Sequence, residues 1–196
     1  MPISESRLAE IATLADGDLG DGRDTSAFGD ADWERYDAEV VAKTTEFCRM
    51  NSDAEELHEF AMRWNWDCGH WAIEEILNNP ACEAATALLI YWLAAPEFYR
   101  QFADRDAVSK AMANVDMFDF ITHLERRYVA GDFGVGRIAF DPRKPGERYV
   151  YSFVGTYDSL QDKFVRALPA FGGVLGQFSA PRTWGVRVAA TFGAGN

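Results

Sequence analysis

The residues best suited to chemistry lie together in Trp64-Asn65-Trp66-Asp67-Cys68-Gly69-His70-Trp71. A thiol beside an imidazole invites nucleophilic catalysis, with a thiolate attacking and a histidine as its base. The spacing argues against it, because side chains two apart on a helix do not face each other, so His70 is badly placed for Cys68. His58 or His123 would have to arrive through a tertiary contact. A zinc site from His58, Cys68, His70 and Cys82 lacks the usual C-x2-C or H-x3-H ligand spacing. No catalytic residue, no metal site and no cofactor is therefore assigned.

Cys68-Gly69-His70-Trp71 superficially resembles the start of the papain-type cysteine protease helix. In that family the tryptophan directly follows the nucleophilic cysteine, whereas here His70 intervenes, and no glutamine stands upstream for an oxyanion hole. The likeness carries no activity over. Other motif matches fail in the same way. An EF-hand loop from Asp16 would need glycine at its sixth position and a bidentate acid at its twelfth, where Asp21 and Ala27 stand. Asp132-Phe133-Gly134 matches the kinase tripeptide, without a glycine-rich nucleotide loop or a His-Arg-Asp element.

As structure, the same stretch reads as an aromatic corner between two helices. Leu57, Phe60, Ala61 and Trp64 lie on one helical face. Ser52 and Glu55 have the spacing of a capping box, starting that helix at Asp53. Asn65 is expected to stop it in a left-handed conformation. Asp67 is expected to cap the next helix, with Trp66 and Trp71 as a hydrophobic staple.

Around the corner the chain reads as mainly helical. Residues 4 to 15 form a short helix, followed by the Gly/Asp loop 16 to 30. Asp30 caps a long helix to about Met50, with Trp33, Tyr36, Val40, Val41, Thr44, Phe47 and Cys48 on its apolar face. The helix after the corner buries Ala72, Ile73, Ile76 and Leu77 and stops at Asn78-Asn79-Pro80. Ala84 to Leu93 is apolar all round, as a central helix is. Pro96 opens a further helix through Phe98, Tyr99 and Phe102. Asn114 to Val129 is another, ended by Gly131. After Gly136 the period changes: Tyr149, Tyr151 and Phe153 alternate as part of a hairpin, a helix follows from about Asp158, and Trp184, Val186 and Val188 alternate as a last strand. The expected architecture is a multi-helix bundle or short α-solenoid-like core with a small C-terminal α+β appendage containing the hairpin. Its organisation is residues 1–30 as helix and acidic loop, 31–136 as helical core, and 137–196 as the C-terminal region.

Asn65-Trp66-Asp67-x-Gly69, then Asn79-Pro80-Ala81-Cys82 and Ala87-Leu88-Leu89, is similar to an uncharacterised bacterial family of domains of unknown function. Its pattern is N-W-D-x-G, then N-x-P-x-C and a small, apolar helix. The likeness covers roughly residues 55 to 100. It implies no settled activity and no catalytic residue. Cys68 falls on the variable position of the pattern.

The charge is the stronger guide to function. The net charge is −12, and residues 1 to 60 hold 16 acids against 5 bases. Phosphates would be repelled, so nucleic acid is disfavoured and a basic protein partner is suited. No run is long and apolar enough to span a bilayer. No basic-then-apolar leader opens the chain, and three scattered cysteines suit a reducing compartment, so a cytoplasmic protein is expected. The expected function is a non-catalytic cytosolic binding domain, an immunity-type protein that neutralises a basic toxin or nuclease through its acidic N-terminal surface. The expected binding residues are Trp64, Trp66, Asp67, Glu74, Glu75, Asp32 and Glu39. The alternatives are a hydrolase using Cys68 with a distant histidine, and a purely structural helical interaction module.

Overall fold

Several helices begin where a short polar side chain takes up a free backbone N–H. Ser4 accepts from the Arg7 amide and opens α1 (Glu5–Ala15). Gly29 precedes α2 (Asp30–Met50), and its amide donates to the Asp32 carboxylate at 3.1 Å. Asp30 is therefore the first helical residue and not the cap. Asp53 caps α3 (Ala54–Arg63), accepting from the Glu55 and Glu56 amides at 2.9 and 3.4 Å. Asp53 replaces the expected Ser52 because its carboxylate also suits the positive helix end. These assignments come from a computed structural model, which describes residues 2–140. Among the described residues the protein is mainly helical, with eight α-helices, one 3-10 turn and no strand. The expected hairpin, the helix from Asp158 and the strand at Trp184 lie outside the described residues.

The chain divides into two compact units. The first comprises Met1–Thr86 with Gly134–Ile138. In it α1 packs on α3, and α2 packs on α4 (Trp71–Asn78). Its interior includes Ile11, Tyr36, Val40, Leu57, Phe60, Ile73 and Ile76. Each large side chain of that kind contributes about 1.5–3 kcal/mol when fully buried. Two bidentate ion pairs staple the layers: Arg7 to Glu56 at 2.9 and 2.7 Å, and Arg49 to Glu75 at 2.6 Å through both nitrogens. Buried Asn79 ties α4 to the end of α2. Its Nδ2 donates to the carbonyls of Cys48, Arg49 and Asn51 at 2.8, 3.1 and 2.9 Å, and its Oδ1 accepts from the Ala81 amide at 2.8 Å. The segment at Gly134 joins this unit by a parallel bridge to Glu83, whose carboxylate accepts from the Arg137 and Ile138 amides at 3.2 and 2.9 Å.

Helix α5 (Ala84–Leu93) starts in the first unit and continues into the second, which among the described residues comprises Ala87–Phe133 with Ala139 and Phe140. Ten successive residues from Ala84 to Leu93 leave only Leu93 partly exposed, as the apolar sequence requires. Ala95 turns the chain in the left-handed region (φ 54°) into α6 (Pro96–Tyr99), which ends before Phe102, short of the expected length. Then come α7 (Arg105–Lys110), capped by Asp104, and α8 (Val115–Ala130), capped by Asn114 and ended by Gly131 at φ 78°. Within this unit the buried Glu125 carboxylate accepts from the Tyr91 hydroxyl at 2.9 Å and Arg100 Nε at 2.6 Å, the partners a buried charge requires. Phe133 of the Asp132-Phe133-Gly134 tripeptide is buried beside Tyr128, with the Arg127 guanidinium 4.8 Å from its ring centroid. The tripeptide is structural. No described helix is long and apolar enough to cross a membrane.

Candidate functional site

The tryptophan corner is a stacked aromatic ladder. Phe47 of α2 lies 5.2 Å from Phe60 of α3, Phe60 stacks on Trp64 at 5.5 Å, and Trp71 meets Trp64 edge-on at 5.4 Å. Trp64 is 5 % exposed and donates its indole N–H to the Gly69 carbonyl at 2.7 Å. Gly69 adopts φ 84°, a left-handed conformation in which a side chain would be strained. The corner also grips the end of α1, since the Asn65 amide donates to the Ala15 carbonyl at 3.0 Å.

Three expectations for the corner are corrected. Asn65 is extended (φ −79°, ψ 99°) and not left-handed; it caps a 3-10 turn, Trp66–Cys68, by accepting from the Asp67 amide at 3.1 Å. Asp67 sits inside that turn, exposed, and does not cap α4. His70 is the residue before α4, without a side-chain cap. With the helix start moved from Asp67 to His70, Trp66 and Trp71 lose the staple register, and Trp71 packs on Trp64. The cause is competition: Asn65 and Asp67 are both good caps, and the earlier one captures the turn.

His58 and His70 face groups other than Cys68. His58 Nδ1 lies 3.0 Å from the Thr86 hydroxyl, and burial pulls its pKa down to about 4 against the opposing charge of Glu83. His70 Nε2 lies 3.5 Å from Glu74. Cys68 is exposed, with the loop after α1 passing beside it at Gly17. Cys48 and Cys82 are buried, and burial pushes the Cys48 thiol up to about 12. Among the described residues no group of three or more His, Cys, Asp or Glu is arranged to hold a metal ion.

The expected binding acids fall into two sets. Glu75 is bound by Arg49, Asp32 by Arg35 and Glu39 by Arg23 (2.7 Å). The arginine hydrogen bonds hold the Asp32 and Glu75 carboxyls below their usual range; for Asp32 the Gly29 amide is the larger cause. Asp67 and Glu74 are exposed, and Trp66 is half-buried. A second strip was not among the residues expected from the sequence. Asp30, Glu34 and Asp37, at i, i+4 and i+7 on α2, are exposed and make no ion pair among the described residues. Trp33 and Val41, 43 % and 47 % exposed, flank them. The signal was present in the spacing, but the apolar period of α2 had assigned Trp33 and Val41 to the core.

No curated protein and no solved structure matches this chain. Residues 52–129, from the residue before the α3 cap to the last turn of α8, match the model of one family. This stretch contains the tryptophan corner, Asn79-Pro80 and the buried helix α5, and so extends on both sides of the motif seen in the sequence. Residues 52–129 are thus similar to a family described as Domain of unknown function (DUF4274).

Proposed function

We propose that this protein is a non-catalytic binding domain that docks a basic protein partner on the acidic outer strip of α2. In the finer reading it is a cytoplasmic immunity-type protein whose partner is a basic toxin or nuclease. The observation that carries the proposal is that three carboxylates stand together on one exposed face of α2 with no arginine of the unit on them. Arg7, Arg23, Arg35, Arg49, Arg63 and Arg137 each pair with a carboxylate of the same unit, while Asp30, Glu34 and Asp37 are left to solvent beside Trp33 and Val41. Uncompensated like charges around exposed apolar side chains suit a partner of opposite charge with an apolar anchor. A hydrolase working through Cys68 has less support, because His58 is turned to Thr86 and His70 to Glu74.

The test is co-purification from the native host with the wild-type protein and Asp30→Asn/Glu34→Gln/Asp37→Asn. A basic protein should be retained by wild type at low salt, released at high salt, and absent from the triple variant, whose thermal melt should be unchanged. Retention that ignores both salt and the substitutions would replace this reading with an uncharged helical interaction module. Retention of no basic protein at low salt would end it.

A further inference from the structure

The first unit contains a groove that is separate from the α2 strip and outside residues 52–129. It runs between α1 and α2, has Leu19 and Gly20 in its lining, and has a volume of about 520 Å³. That lies within the range of small-molecule sites, roughly 300–1,000 Å³. Its apolar lining is Ile11, Leu14, Leu19 and Phe47, of which only Ile11 is fully buried. Four charged side chains also line it. Arg7 and Glu10 hold each other at 3.0 Å, and Arg7 further binds Glu56. Lys43 and Glu46 are different. They stand three apart on α2, a spacing that allows an ion pair, yet neither forms one with the other or with any other described residue, although the Lys43 charge is felt at the Asp21 carboxylate. Lys43 is the only cation of this unit left so among the described residues.

One cation and one anion, adjacent and without a direct ion pair at the edge of an apolar groove, match a ligand carrying both charges close together on an apolar body. We infer that the groove between α1 and α2 binds a small zwitterion of that kind, an apolar α-amino acid or a short apolar peptide with free termini. The ligand carboxylate lies against Lys43 and its ammonium against Glu46, with the apolar body on Leu14, Leu19 and Phe47. The overall charge favours this over a simple anion, since an acidic protein repels an anion at long range and leaves a net-neutral ligand unaffected.

Calorimetric titration tests it with L-phenylalanine, L-leucyl-L-leucine and N-acetyl-L-phenylalanine amide, on wild type, Lys43→Met and Glu46→Gln. Both substituted side chains are exposed, and thermal melts should show all three proteins equally folded. The first two ligands separate a free amino acid from a peptide. At least one should bind wild type, the blocked amide should not, and each variant should bind about tenfold more weakly, the loss of one charge-assisted hydrogen bond. The inference is overturned if neither free-terminus ligand binds wild type, if the blocked amide binds as well, or if either variant binds like wild type. The outcome does not depend on the α2 strip, which these substitutions leave intact.

Discussion

The side-chain nitrogen of Asn79 sits 2.8 Å from the carbonyl oxygen of Cys48, thirty-one residues earlier. That bond and its companions to Arg49 and Asn51 serve carbonyls at the end of α2, where no helical amide remains to meet them. Asn79→Ala should leave these buried acceptors unpaired and cost about 1–3 kcal/mol in urea-induced unfolding. A variant that unfolds like wild type would show that water replaces the amide without loss.

The corner makes a graded prediction. Trp64→Ala should be the most damaging of its substitutions, at about 3–5 kcal/mol, since the ring is buried between Phe60 and Trp71. Asn65→Ala should cost about 1 kcal/mol as a lost cap. Asp67→Ala, on an exposed side chain, should stay within about 0.5 kcal/mol. Thermal melts of the three rank them, and an Asp67 loss equal to that of Asn65 would restore the capping role expected from the sequence.

Stability should fall on mild acidification because of His58. Burial holds its folded pKa near 4, below the ordinary 6.5, so the unfolded chain takes up a proton that the folded chain refuses. The contribution is complete above 6.5 and is lost as pH falls towards 4; the full shift corresponds to at most about 3 kcal/mol. Between about pH 6.5 and 5 the depressed carboxylates do not yet titrate, so urea midpoints there should fall more steeply in wild type than in His58→Gln, both sharing the opposite contribution of Glu97, whose carboxyl burial pushes up. Parallel curves would remove His58 as the cause.

Met112 offers a stabilising substitution. It follows α7 at φ 54°, where its amide donates to the Ser109 carbonyl and the Ala113 amide to that of Val108, a helix ending that favours glycine. Its side chain is 94 % exposed and gives up little contact. Met112→Gly should raise stability by about 1 kcal/mol, the cost of the left-handed conformation for a side-chain residue. A lower melting temperature would show that the methionine makes a contact its exposure hides.

Apolar patterning located α1, α2, α4, α5 and α8, since α5 is apolar on every side and each of the others buries a regular stripe; the four apolar residues named for α4 are the four it buries. Helix α7 was passed over because six residues with one buried side chain, Val108, carry no period. Local signals were ambiguous where several capping residues adjoin, so Ser52 was preferred to Asp53 and Asp67 to Asn65. Contacts distant in sequence were not legible at all. Nothing in the spacing announces that Arg7 holds Glu56, 49 residues away, or that Arg49 claims Glu75. The acids expected to meet a partner could not be sorted into occupied and available ones until those arginines were placed.

The uneven burial of the three thiols has a practical consequence. Cys48 and Cys82 are shielded, whereas Cys68 stands in the exposed 3-10 turn. In the folded protein a maleimide dye would therefore meet, among these three, the one thiol that sits at the corner, without any engineered cysteine. A fluorophore placed there would report, in real time and in the native sequence, on anything that approaches Trp66 or the start of α4.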